Sequence, residues 1–136
     1  RISGPLWVTG SVTIEGGSTV MPNDSSKSYA LITDSNLTLS GGSLITGNAG
    51  SHILLLSTST NDPAITLEGG ANDTVVFIPY GGLKVSGGAH VKAASAKHIF
   101  AEGGANIIYD PDMSQLNFSS GSSGSTFGIK AWKETP

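Results

Sequence analysis

The sequence predicts an all-β fold: one parallel β-solenoid, a right-handed β-helix of about five turns closed by a C-terminal cap. Three observations predict it. A short glycine-centred repeat recurs five times, apolar and polar residues alternate with period two inside each copy, and every candidate helix is interrupted by Gly or Ser. The 136 residues suffice for one domain, read as repeat turns over 1–110 and a cap over 111–136.

The repeat reads apolar, x, apolar, x, Gly-Gly, small, x, apolar. Its copies are Val12 to Val20, Leu37 to Ile45, Ile65 to Ala71, Leu83 to Val91 and Ile99 to Ile107. In the third copy, Asn72-Asp73 replaces the closing apolar residue. The first glycine of each pair falls at 16, 41, 69, 87 and 103, giving steps of 25, 28, 18 and 16 residues. The two short steps suit one solenoid turn. The longer ones need insertions, for which Met21 to Ser28, Thr46 to Ser51 and Ser57 to Pro63 are the candidates.

Alternation places Val12, Leu37, Ile65, Leu83 and Ile99 in one inward column and Ile14, Leu39, Leu67, Val85 and Ala101 in the next. A fully buried Val, Leu or Ile is worth about 1.5–3 kcal/mol, so such ladders can supply a core. Between them, the outward positions are Thr13, Thr38, Thr66, Lys84 and Phe100, then Glu15, Ser40, Glu68, Ser86 and Glu102. The glycine pairs mark sharp bends, where φ > 0 and close approach of neighbouring turns disfavour a Cβ.

A second strand per turn is expected at Leu6-Trp7-Val8, Ala30-Leu31-Ile32, Ile53 to Leu56 and Val75 to Ile78, continuous apolar runs that suit deeper burial. A solenoid needs its open ends covered. The non-repeating tail from Pro111 to Pro136 is the expected cover, with Phe118, Phe127, Ile129 and Trp132 as anchors. An antiparallel β-sandwich is the alternative with comparably many short strands.

Composition narrows the function classes. Charged residues make up 12% of the chain, against about 25% in typical soluble domains. The net charge is −3 and the seven Lys and Arg are scattered, so no basic stripe follows a nucleic-acid backbone. With no cysteine, disulfides and thiolate metal sites are excluded. No apolar run approaches the roughly 20 residues of a membrane helix. Arg1 to Pro5 does not read as a signal peptide and looks like the interior of a longer chain.

No residue set reads as a catalytic, cofactor or metal site. Glu15, Glu68 and Glu102 share a column, but Ser40 and Ser86 separate them, and a solvated ladder explains them. Asp110 and Asp112 flank Pro111 and could ligate Ca²⁺, with a turn as the simpler reading; Asn61-Asp62 and Asn72-Asp73 are similarly ambiguous. His52, His90 and His98 lack metal-like spacing, and His90 is expected to face outward. The Thr13, Thr38, Thr66 column, which an ice-binding array would need to be longer, breaks at Lys84 and Phe100. Four N-x-[ST] triplets, at Asn23, Asn36, Asn72 and Asn117, are what so much Asn, Ser and Thr produces by chance.

The second half carries a resemblance. Ser57 to Ile65 is followed by Phe77-Ile78-Pro79-Tyr80-Gly81-Gly82, then Asn106 to Pro111, Phe118-Ser119-Ser120-Gly121 and Ala131-Trp132-Lys133-Glu134. This order resembles the C-terminal region of PilX-like pilus-assembly proteins, the type IV pilus-associated proteins of bacteria, best over residues 50–136. The resemblance implies an exported, β-rich module at the cell surface, held by an N-terminal hydrophobic helix that this sequence does not contain, and it supplies no catalytic residues. The expected role is thus non-enzymatic: an extracellular structural or adhesive module without cofactor, whose partners are pilus or envelope subunits or surface glycans. A glycan-binding or glycan-active β-helix is the second expectation; its mark would be an acidic or aromatic cluster on one outward face. A self-assembling scaffold is the third.

Overall fold

A computed structural model describes residues 1–47, 50–72, 74–109, 117–119 and 126–128. All regular structure among them is β. The strands stack in parallel as a solenoid with three sides, which overturns the sandwich alternative.

The first side holds β1 (Leu6–Val8), β4 (Tyr29–Thr33), β7 (Ile53–Ser57), the start of β10 (Thr74–Ser86) and the middle of β11 (His90–Ala101), paired in that order. The second side holds β2 (Val12–Ile14), β5 (Leu37–Leu39), β8 (Ile65–Glu68) and the ends of β10 and β11. β3 (Thr19–Val20), β6 (Leu44–Thr46) and β9 (Ala71–Asn72) make a third side, with short strands where the repeat shows only a closing apolar residue. On the last level, β12 (Asn106–Ile107) pairs with the start of β11. Five levels are thus related by four stacking steps, about four turns of the solenoid.

Register follows the glycine pairs. Val12, Leu37, Ile65, Leu83 and Ile99 are successive partners, as are Ile14, Leu39, Leu67, Val85 and Ala101. Leu37, Ile65, Leu39, Leu67 and Val85 are fully buried and anchor the core. Burial fails at the last level, where Ile99 is 46% exposed although Leu83 beneath it is 1% exposed. All ten repeat glycines have φ between 61° and 79°. Their corners nest: a Cβ on Gly41 would stand 3.1 Å from Gly16 N, and one on Gly103 3.2 Å from Gly87 N.

The third repeat needs a correction. Its closing apolar position is not lost to Asn72-Asp73. Ala71, fully buried, pairs with Ile45, so the corner is two residues shorter and Ala71 fills the column early. The missing side-chain volume at Gly70 permits this, because a Cβ there would fall on the Ser43 carbonyl oxygen.

The three insertions lie where the steps require them. Met21 to Ser28 separates β3 from β4, with Ile2 bridged to Pro22 beside it. Thr46 closes β6 before the second loop and Ser57 ends β7 before the third. On the first side the apolar runs of β4, β7 and the start of β10 are buried on both faces except at Phe77, whereas the expected burial fails in β1, an outermost strand of the sheet, where Leu6 is 45% and Trp7 70% exposed. The outward column Ala30, Leu54, Val75 and Ala93 forms its own buried cluster, and β13 (Asn117–Ser119) lies against β4. β13 pairs antiparallel with β14 (Thr126–Gly128), bringing Phe118 opposite Phe127. Ile129 and Trp132, the other expected anchors, lie outside the described residues.

Candidate functional site

The corner between the first and second sides is built from small polar residues whose hydrogen bonds run along the stack. The Thr33 hydroxyl donates to the Gly10 carbonyl one level below and accepts from Ser35 N at 3.1 Å. Ser57 repeats this one level on, donating to the Ser35 carbonyl at 2.6 Å and accepting from Ser59 N at 3.1 Å. Both side chains are fully buried, so each hydroxyl satisfies backbone groups that the corner would otherwise strand. Beside them Asn61 Nδ2 donates to Asn36 Oδ1 at 2.8 Å. The signal for this ladder is the matched Thr33-x-Ser35 and Ser57-x-Ser59 at the ends of apolar runs, which lie outside the glycine-centred repeat.

From this corner the third insertion leans up the stack. Gly82 N donates to the Asn61 carbonyl at 2.9 Å, and Ala64 N to the Gly82 carbonyl at 2.8 Å. Gly81 and Gly82 are required by the fit. A Cβ on Gly82 would fall on the Asp62 carboxylate, and one on Gly81 would stand 2.5 Å from the Asn61 carbonyl oxygen. Asp62 therefore passes over the fourth level and meets His98 of the fifth, Oδ2 to Nδ1 at 2.6 Å.

Around this pair lies a depression of about 440 Å³, lined by Asp62, Pro63, Leu83, Lys84, His98 and Phe100, with Ile99 beside them. Lys84 and Phe100 are register partners on adjacent strands. Lys84 Nζ reaches Glu102 at 3.3 Å, two residues beyond Phe100. The Phe100 ring stands 58% exposed on the strand. One exposed aromatic ring is thus framed by two carboxylates, an ammonium and an imidazole, an arrangement able to hold a ligand with one apolar face and a hydrogen-bonding rim.

The remaining candidates are dispersed. Glu15 is exposed near the start of the stack, and Ser86 pairs with Glu68, so the glutamates keep the interrupted spacing of their column. The Thr13, Thr38, Thr66, Lys84, Phe100 column is in register as expected. His90 is exposed and, with Asn72 and Asn106, lines a second depression of about 390 Å³ on the third side. His52 immediately precedes β7, its backbone N donating to Ser28 Oγ at 2.9 Å. Among the described residues no three His, Asp or Glu side chains converge as a metal would require. Asp73, Asp110 and Asp112 lie outside the described residues. Asn23 is exposed on its loop, whereas Asn36 and Asn72 are half-buried and Asn117 starts β13. No helix among the described residues is long and apolar enough to cross a membrane.

Fold and corner together define a three-sided parallel β-solenoid bearing a lateral aromatic depression. No family model, curated protein or solved structure matches the chain.

Proposed function

We propose that this chain is a non-enzymatic, extracellular structural or adhesive module of a type IV pilus-like or cell-envelope apparatus. The observation that carries the reading is the in-register stack. Core columns run without interruption from the second to the fourth level, so the chain forms a stiff element that presents its lateral sides. The outer columns of the second side are mostly Thr, Ser and Glu, with Phe100 exposed among them, a surface suited to contact with other subunits or glycans. The motif order over residues 50–136 adds the resemblance to pilus-associated proteins. Mass spectrometry of filaments sheared from the source cell tests the reading. Recovery in the sheared fraction is the expected result; confinement to the cytoplasm would sink it.

A glycan-binding role is the second reading, favoured by the cluster of Phe100, Asp62, Glu102, Lys84 and His98 on one side of the last two turns. Such a cluster is the mark that separates a glycan binder from a plain scaffold. A glycan array run beside a reducing-sugar release assay distinguishes binding, cleavage and neither.

A further inference from the structure

We propose that the depression around Phe100 binds a pyranose saccharide carrying no carboxylate or sulfate group; this deepens, and rests on, the glycan-binding reading. The volume of about 440 Å³ lies within the range of small-molecule sites, roughly 300–1,000 Å³. Its wall is apolar where Pro63, Leu83 and Phe100 line it and polar where Asp62, Lys84 and His98 do. A pyranose ring has the same division. Its axial C–H groups form an apolar, weakly electropositive face that suits the negative face of an aromatic ring, and its hydroxyls project from the edge.

The rim groups retain capacity for those hydroxyls. A carboxylate has about four acceptor sites, and the hydrogen bond with His98 occupies one on Asp62, whose side chain is 53% exposed. An ammonium has three donors; Lys84 directs Nζ at Glu102, and its side chain remains 37% exposed. Hydroxyls donate to the first and accept from the second. Charge decides the class of saccharide. Asp62 and Glu102 present two carboxylates, and Lys84, the ammonium among them, is already paired. An acidic sugar would set a third anion beside these two with no unpaired cation from this cluster to receive it.

The site is also held in place. The loop bearing Asp62 is fixed by the two backbone hydrogen bonds to Gly82, and Phe100 and Lys84 stand on paired strands, so little ordering is left to binding.

The test is amide NMR of the 136-residue chain with cellohexaose, mannohexaose and chitohexaose, against sialyllactose and a heparin hexasaccharide. At least one of the first three is expected to shift Lys84, Ile99 and Phe100, and the acidic pair to leave them unmoved. Phe100→Ala is expected to weaken binding about tenfold. Phe100→Leu, which keeps an apolar strand residue and removes the ring, gives the same loss and guards against misfolding of the first variant. Trp7→Ala, on another side, leaves binding unchanged. Binding of acidic probes alone, of no probe, or binding indifferent to both Phe100 variants overturns the proposal. Saccharide binding that both Phe100 variants leave unchanged refutes this site and leaves the glycan-binding reading standing, whereas a glycan array on which the wild-type chain binds nothing refutes that reading itself.

Discussion

Gly70 lies against the backbone of Ser43 so closely that a Cβ at position 70 would fall on the Ser43 carbonyl oxygen, while Gly70 itself accepts a hydrogen bond from Ile45 N at 2.8 Å. The contact is what allows the third corner to be two residues short. Gly70→Ala is therefore expected to cost more than the left-handed backbone alone, which is about 1–2 kcal/mol for a residue other than glycine. Gly17→Ala, with similar φ and open space around its Cβ, gives the reference. Urea unfolding of both variants checks this. Equal losses would show that strain in φ, and not the Ser43 contact, governs the corner.

Leu39 sits between Ile14 and Leu67 with no exposure, while Ile99 ends its column nearly half exposed. Truncating Leu39 to Ala leaves a cavity that stacked neighbours above and below cannot both close, and a loss of about 2–5 kcal/mol is expected. Ile99→Ala should cost well under half of that, because water already reaches the side chain. Chemical denaturation of the two variants measures the difference.

The success of the repeat and its limits have the same origin. Period-two alternation set the faces, and the glycine pairs set the register, so the partners of Val12 and of Thr13 were legible through all five levels. The Ala71 substitution was not, because matching by spacing assigns the closing position to residue 73, and only the fit of Gly70 under Ser43 reveals the shortened corner. Nor was the meeting of Asp62 with His98 legible. It joins residues 36 apart on levels that are not adjacent, and it depends on the path of an insertion over two side-chain-free residues, Gly81 and Gly82. The continuous apolar runs at Ala30 and Leu54 did signal burial on both faces, without indicating that β13 would lie against that side.

Asp24, in the first insertion, is held below its ordinary carboxylate pKa of 3.8, first by the Ser26 hydroxyl at 2.6 Å, then by Ser26 N at 2.9 Å, with Lys27 adding a favourable charge. A depressed carboxyl favours the folded state above the unfolded pKa, and that contribution is lost as pH falls through the folded value. Acid titration followed by NMR is expected to show the Asp24 midpoint below 3.8, and Ser26→Ala to move it upward. A midpoint unmoved by Ser26→Ala would assign the depression to another group.

Ser57 tests whether the polar corner is a structural necessity or a tolerated decoration. Its buried hydroxyl serves two backbone groups at once, the Ser35 carbonyl and the Ser59 amide. Ser57→Ala removes one oxygen and strands both partners away from water, with an expected loss of about 1–3 kcal/mol. Ser57→Thr keeps the hydroxyl and matches Thr33, which occupies the same register position one level below, so it should remain near wild type. If Ala and Thr variants unfold at the same denaturant concentration, the ladder contributes nothing, and stacking of the core columns alone sets the corner. If only Ala is destabilised, hydrogen exchange at Ser59 should quicken more than at Leu67, since the lost acceptor belongs to the corner and leaves the paired strand intact.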